Sequence, residues 1–211
     1  MKKVIVFGPT GTIGKHVLQQ ALKGDIEVTA FCRDRSRLDY QAHPQLQIIE
    51  GDVYDQEAVS EAIAGHDIVI IALGSGNSRK STVRSEGTKH IIQGLKEHGV
   101  RRLICQSTLG AGDSNSNLNF FWKRIMFGWF LKQVFLDHEL QEDYVMNSGL
   151  DWTIVRPGAF TDGSLTGRYQ HGFGPQERQL QLKISRADVA DFILKQLSSN
   201  QYLLKTPGLS Y

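Results

Sequence analysis

Gly8, Gly11 and Gly14 stand three apart in "FGPTGTIG", directly after the apolar run Val4-Ile5-Val6-Phe7. Glycines at this spacing suit one kind of chemistry, the holding of phosphate. Gly8 would let the chain turn, Gly11 would let backbone approach a diphosphate, and Gly14 would let the next helix pack closely. The helix N-terminus would then offer N–H groups and its dipole to the anion. The spacing is G-x-x-G-x-x-G rather than G-x-G-x-x-G, and a glycine loop that binds nothing is the competing reading.

Charged residues follow the second apolar run, in "TAFCRDRSRL". Asp34 stands where an acidic residue would accept a hydrogen bond from a free ribose hydroxyl, which would select NAD. Arg33 and Arg37 flank it, and a guanidinium fork matches phosphate geometry, which argues for NADP. After the third run, in "EGDVYD", Asp52 could accept from an adenine amino group while Val53 packs on the ring. After the fourth, the small residues of "ALGSGN" would let a dinucleotide cross a sheet edge.

Ser107, just past the fifth run, could hydrogen-bond a nicotinamide amide or an acceptor, or merely cap a strand. His138 is the candidate proton donor, because an unperturbed imidazole titrates near pH 6.5, with a helix-face histidine of no role as the alternative. His171 in "GRYQHGFG" is either a substrate-side residue or a turn residue. No histidine pair has metal-ligand spacing with an acidic partner, so no metal is expected. A Tyr-x-x-x-Lys acid is absent: four positions after Tyr40, Tyr54, Tyr144, Tyr169 and Tyr202 stand Pro44, Ala58, Ser148, Phe173 and Thr206. Standard alcohol–ketone chemistry is thereby disfavoured.

These residues need elements to position them. Short apolar runs alternate with helical periodicities. The runs are "KVIVF", "IEVTAF", "LQIIE", "DIVIIAL", "RRLICQS" and "DWTIV". Helices are expected after the glycine turn and from Asp55, then over 81–97, 137–148 and 186–197. Such alternation implies parallel βαβ units and a Rossmann-like doubly wound parallel sheet, with helices on both faces. Ligands of that architecture bind beyond the carboxyl ends of the strands, where the residues above fall.

The bulk numbers are consistent with one domain of 211 residues, with a substrate-side region around 108–136 and 157–184. A net charge of +2, from 24 basic and 22 acidic residues, gives no reason to expect nucleic acid. No apolar stretch approaches the ~20 residues that span a bilayer. The run after "MKK" is too short for a secretory leader. A cytoplasmic protein with Cys32 and Cys105 reduced is the expectation.

With these residues in place, the chain resembles the atypical short-chain dehydrogenase/reductase family, and within it the biliverdin and flavin reductases. The likeness runs through "FGPTGTIG", "EVTAFCRDRSRL", "GDVYD", "IIALGSGN", "TVRSEGTKHIIQGLKEHGV", "DHELQEDYVMNSGLDWTIVRPG" and "SRADVADFIL". It implies an NADPH-dependent, monomer-sized reductase passing hydride to a planar small-molecule acceptor: a flavin, a tetrapyrrole or a quinone. It implies phosphate contacts at Gly8, Thr10, Gly11, Thr12, Ile13 and Gly14, and 2′-phosphate contacts at Arg33 and Arg37. It further implies adenine contacts at Asp52 and Val53, and nicotinamide-side contacts at Leu73, Gly74, Ser107 and Pro157.

Two departures stand out. Where the family carries a histidine beside its acceptor, this chain has Ala159 or Phe160. The segment 116–136, "SNLNFFWKRIMFGWFLKQVFL", differs in length and character from the family's loop. It could be an aromatic lid holding Trp122 and Trp129, a partner or membrane-surface helix, or a core helix. A non-catalytic NADP(H) sensor acting through a protein partner is the alternative function, and chemistry on an aromatic metabolite is a third.

Overall fold

The computed structural model describes all residues except 40, 41, 77, 79, 119–130, 175, 176 and 178. The apolar runs become strands β1 (Lys2–Phe7), β2 (Ile26–Cys32), β3 (Leu46–Glu50), β4 (Ile68–Ile71), β5 (Arg102–Gln106) and β6 (Asp151–Pro157). Between them lie helices α1 (Gly14–Ala21), α2 (Gln56–Ile63), α3 (Val83–Glu97) and α4 (Lys132–Met146). Short strands β7 (Ala159–Thr161), β8 (Gln170–His171) and β9 (Lys183–Ser185) follow, then helix α5 (Arg186–Lys195) and strand β10 (Gly208–Ser210).

The main sheet runs β3-β2-β1-β4-β5-β6-β10-β8. Its first six strands are parallel and follow the doubly wound order 3-2-1-4-5-6, so the fold is Rossmann-like. β10 joins β6 in parallel, β8 closes the edge antiparallel to β10, and β7 and β9 form a separate parallel pair.

Strand side chains alternate between faces, and the core divides accordingly. Val4 and Val6 of β1 enter one apolar cluster with Val17 and Leu18 of α1 and Phe192 and Ile193 of α5. Ile5 and Phe7 enter another with Val59 of α2, Ile91 of α3 and Val145 of α4. Side-chain caps fix where some helices begin. Asp55 accepts from the N–H groups of Glu57 and Ala58 at 3.1 Å, and Ser185 accepts from that of Asp188 at 3.0 Å.

Besides the short strands β7, β8 and β9, which were not expected, two elements differ from expectation. α4 starts at Lys132 rather than at 137, and Phe135 N–H already donates to the Leu131 carbonyl at 2.8 Å. β10 was not anticipated, because three residues carry no periodicity. Its place comes from β6: Arg156 N–H donates to the Pro207 carbonyl and Gly158 N–H to the Leu209 carbonyl, each at 2.9 Å. α4 is tied to β6 by a buried fork–fork pair, in which Arg156 donates to the two Glu142 oxygens at 3.0 and 2.6 Å. Among the described residues, no helix is long and apolar enough to cross a membrane.

Candidate cofactor and acceptor site

The glycine turn lies where β1 ends. Gly8 has φ +88°, and a Cβ there would meet the Ala72 carbonyl oxygen at 2.4 Å. A Cβ on Gly14 would meet the Gly8 oxygen at 2.1 Å and Pro9 Cα at 2.7 Å. Glycine is required at both positions, once for conformation and once for close packing of helix on turn. No side chain caps the N-terminus of α1, and its first turn holds no acidic residue. The turn therefore presents backbone N–H groups and a positive dipole end, which suits a diphosphate.

A cavity of about 390 Å³ opens beside this turn, with Gly8, Thr10, Phe31, Arg33, Arg37 and Val53 in its wall. Asp34 is not in that wall. Its carboxylate accepts from the Ser36 N–H at 2.9 Å and the Ser36 hydroxyl at 2.5 Å, capping the short turn Arg35–Arg37. One oxygen of Asp34 thus shapes the arginine turn. Asp52 also falls outside the wall. Its side chain accepts from Tyr54 N–H at 3.1 Å, while its neighbours Gly51 and Val53 line the cavity. One oxygen of the carboxylate thus shapes the "DVY" turn.

A second cavity of about 240 Å³ adjoins the first, and the two share Gly11, Thr12, Leu73, Gly74 and Arg84. Ile13, Gln106, Ser107, His138, Phe160 and Leu182 face it. Pro157 does not: it ends β6, buried, and Gly158 and Ala159 beyond it line the cavity instead. Ala159 and Phe160, where the family histidine was sought, both line the cavity, with the Arg186 guanidinium 5.4 Å from the Phe160 ring centre. Trp122, Trp129 and the middle of the expected lid lie outside the described residues, whereas Leu118 and Leu131 on either side of them line this cavity. His171 is elsewhere, in β8, 2.7 Å from the Tyr202 hydroxyl. No tyrosine among the described residues lines either cavity.

The structure brings Ser107 and His138 together. Ser107 Oγ lies 3.5 Å from His138 Nδ1, with both side chains buried. The expectation that His138 titrates near neutrality is corrected. Burial first, and the Arg84 charge second, push its pKa down to about 3, so the imidazole is neutral under ordinary conditions. It can orient Ser107, but it holds no spare proton as a cation. The unfolded chain protonates this histidine below about pH 6.5 whereas the folded chain does not, so stability must fall as pH drops from there toward 3. Wild type should lose about 2 kcal/mol more than His138→Gln between about pH 7.5 and about pH 5, read from urea unfolding at each pH. Equal losses would contradict this assignment.

Sequence reading missed Arg84. Its guanidinium is buried where the two cavities join, and Nη1 donates to Asp137 Oδ2 at 3.4 Å and Ser75 Oγ at 3.3 Å. Asp137 also accepts from the Ser85 N–H at 3.0 Å and the Ser85 hydroxyl at 2.6 Å. The partner on α4 is remote in sequence, so "TVRSEG" read as the start of a helix and as part of the family likeness, with no role for its arginine.

A doubly wound sheet with a glycine turn, an open helix N-terminus and a crevice at the strand ends defines an NAD(P)H-binding oxidoreductase-type protein. The chain belongs to the NAD(P)H-binding family, whose sequence model matches residues 8–200. A UPF0659 protein of Saccharomyces cerevisiae is 26% identical over 204 residues, which cover 92% of this chain and 86% of that one. ChuY of Escherichia coli O157:H7, an anaerobillin reductase, superposes with a TM-score of 0.82 at 25% identity, covering 99% of this chain and 97% of its own. A short-chain dehydrogenase/reductase of Veillonella parvula, solved in complex with NADP, has the same fold at TM-score 0.83 and 17% identity. It covers 100% of this chain and 94% of its own.

Proposed function

We propose that this protein is an NADPH-dependent reductase that delivers hydride to a flat conjugated acceptor, of the flavin, linear tetrapyrrole or quinone class. The observation that carries the reading is the pair of cavities with a common floor at Gly11, Thr12, Leu73 and Gly74. One cavity ends in two arginines, and the other is walled by Ile13, Leu109, Leu118 and Phe160 around a few polar groups. NADPH supplies the hydride when bound. The chain's residues position it: Gly8 to Gly14 hold the diphosphate, and Arg33 and Arg37 hold the 2′-phosphate. Val53 packs on the adenine. Ser107, oriented by His138, hydrogen-bonds the carboxamide or the acceptor. The apolar wall excludes water and stacks the acceptor, and alignment of two bound rings is itself worth several kcal/mol. The likeness to ChuY supports a tetrapyrrole among the candidate acceptors.

The test is NADPH oxidation followed by absorbance, with riboflavin, FMN, biliverdin and quinones as acceptors and NADH as the control donor. Turnover with at least one acceptor, with NADPH preferred over NADH by about tenfold or more, is the expected result. NADPH binding without turnover on any acceptor would reject the reductase and favour a cofactor-sensing role.

A further inference from the structure

We propose that Arg84 is the anion-reading residue of the acceptor subsite, so that the preferred acceptor carries an anionic side group, a carboxylate or a phosphate, which the free edge of this guanidinium grips. The inference rests on the reductase reading above and narrows its acceptor class.

Arg84 is 9% exposed and is the only charged side chain among the described residues that face the acceptor cavity. Only one edge of its guanidinium is engaged. Nη1 serves Asp137 and Ser75, while Nε is buried and has no partner among the described residues. A buried donor left unpaired is costly unless a ligand takes it up.

The carboxylate beside Arg84 is heavily shared. Asp137 Oδ1 is taken by Ser85, and Oδ2 is divided between the backbone N–H and the guanidinium of Arg84. Arg84 also stands in the first turn of α3, whose N-cap Thr82 makes no side-chain bond; Asp137 accepts from the Arg84 and Ser85 N–H groups of that turn, and Glu86 follows in it. One buried carboxylate thus serves both the guanidinium and the helix end, and the Nε edge of Arg84 is left without a protein acceptor among the described residues.

The cofactor's own diphosphate is the other anion within reach. Its natural seat is the N-terminus of α1 across the crevice, at Gly11 and Thr12. Arg84 is instead joined through Asp137 to α4, the helix that carries His138 against Ser107. The acceptor end is therefore favoured. A planar fork held by Asp137 on one side matches a carboxylate or phosphate on the other, where a lysine would give a single point charge.

The experiment compares two matched pairs, biliverdin with its dimethyl ester and FMN with riboflavin. Each is titrated calorimetrically into NADP⁺-loaded protein, and NADPH oxidation is measured separately. Wild type should bind the anionic member of at least one pair about 10- to 100-fold more tightly than its uncharged partner. Arg84→Met should collapse that preference to within about threefold. Because Arg84→Met leaves Asp137 buried beside an apolar chain, Arg84→Lys serves as the second variant. It keeps the charge, loses the fork, and should give an intermediate preference.

Equal binding of both members of each pair, or no binding of any, overturns the proposal. So does an Arg84→Lys variant that weakens NADP⁺ by tenfold or more while keeping the acceptor preference, because the arginine would then be reading the cofactor. If anion preference is present without turnover, the reductase reading falls and the subsite stands. If turnover is present without anion preference, the subsite falls and the reductase stands.

Discussion

Gly14→Ala should abolish NADPH binding and lower stability by about 3 kcal/mol or more, a large effect for one methyl group. The new Cβ would sit 2.1 Å from the Gly8 oxygen, 2.7 Å from Pro9 Cα and 2.9 Å from the Gly8 carbonyl carbon. All three are backbone atoms, so no rotamer change relieves the contact. Either α1 moves away from the sheet, which opens the core around Val17 and Leu18, or the turn unfolds and its N–H groups lose their common aim. Gly24→Ala is the control, because a Cβ there meets only the Ala21 oxygen at an ordinary 3.6 Å. Urea unfolding and calorimetric titration of both variants check the claim. A Gly14→Ala protein that binds NADPH normally would show that the turn is not the phosphate seat.

Replacing both Arg33 and Arg37 by alanine should weaken NADPH binding roughly 100-fold while changing NADH binding little, each arginine alone accounting for about tenfold. Both side chains are exposed at the rim of the 390 Å³ cavity, on a turn that Asp34 caps from below. Exposure predicts a salt-dependent contribution, so the loss should shrink as ionic strength rises. Asp34→Asn makes the complementary test. It leaves the arginines in place but weakens the cap, and should cost less than either arginine. Calorimetric Kd values for NADPH and NADH across this set decide the matter. A drop of equal size for both cofactors would mean that the arginines act on the fold of the turn rather than on the 2′-phosphate.

The strands, most helices and the glycine turn were legible in the sequence because each is local. Buried parallel strands are continuous apolar runs, and a turn that admits no Cβ must be glycine at Gly8 and Gly14. Arg33, Arg37 and Ser107 could be placed at strand ends from the sequence, and there they line the two cavities. What escaped was relational. Arg84 matters through Asp137 on another helix, and no spacing rule links the two. Asp52 and Asp34 each accept a nearby backbone N–H, and those local bonds are invisible until the turns are built. His138 was found as a residue, but its protonation state was misjudged because burial is a tertiary property. β10 is too short to announce itself and exists only because β6 offers an edge.

The alternation of β1 side chains between two apolar clusters has an evolutionary consequence. The helices α1 and α5 share one face of the sheet, and α2, α3 and α4 share the other. The cofactor turn leads into the first layer, while Arg84, Asp137 and His138 belong to the second. The sheet stands between them as a wall one strand thick. If the proposed function holds, a lineage could vary Arg84, Asp137 and His138 on the second layer without disturbing the glycine turn on the first. The plane divides change from constancy only in part, because Val53 and Leu73, which line the cavity beside the glycine turn, belong to the second layer too.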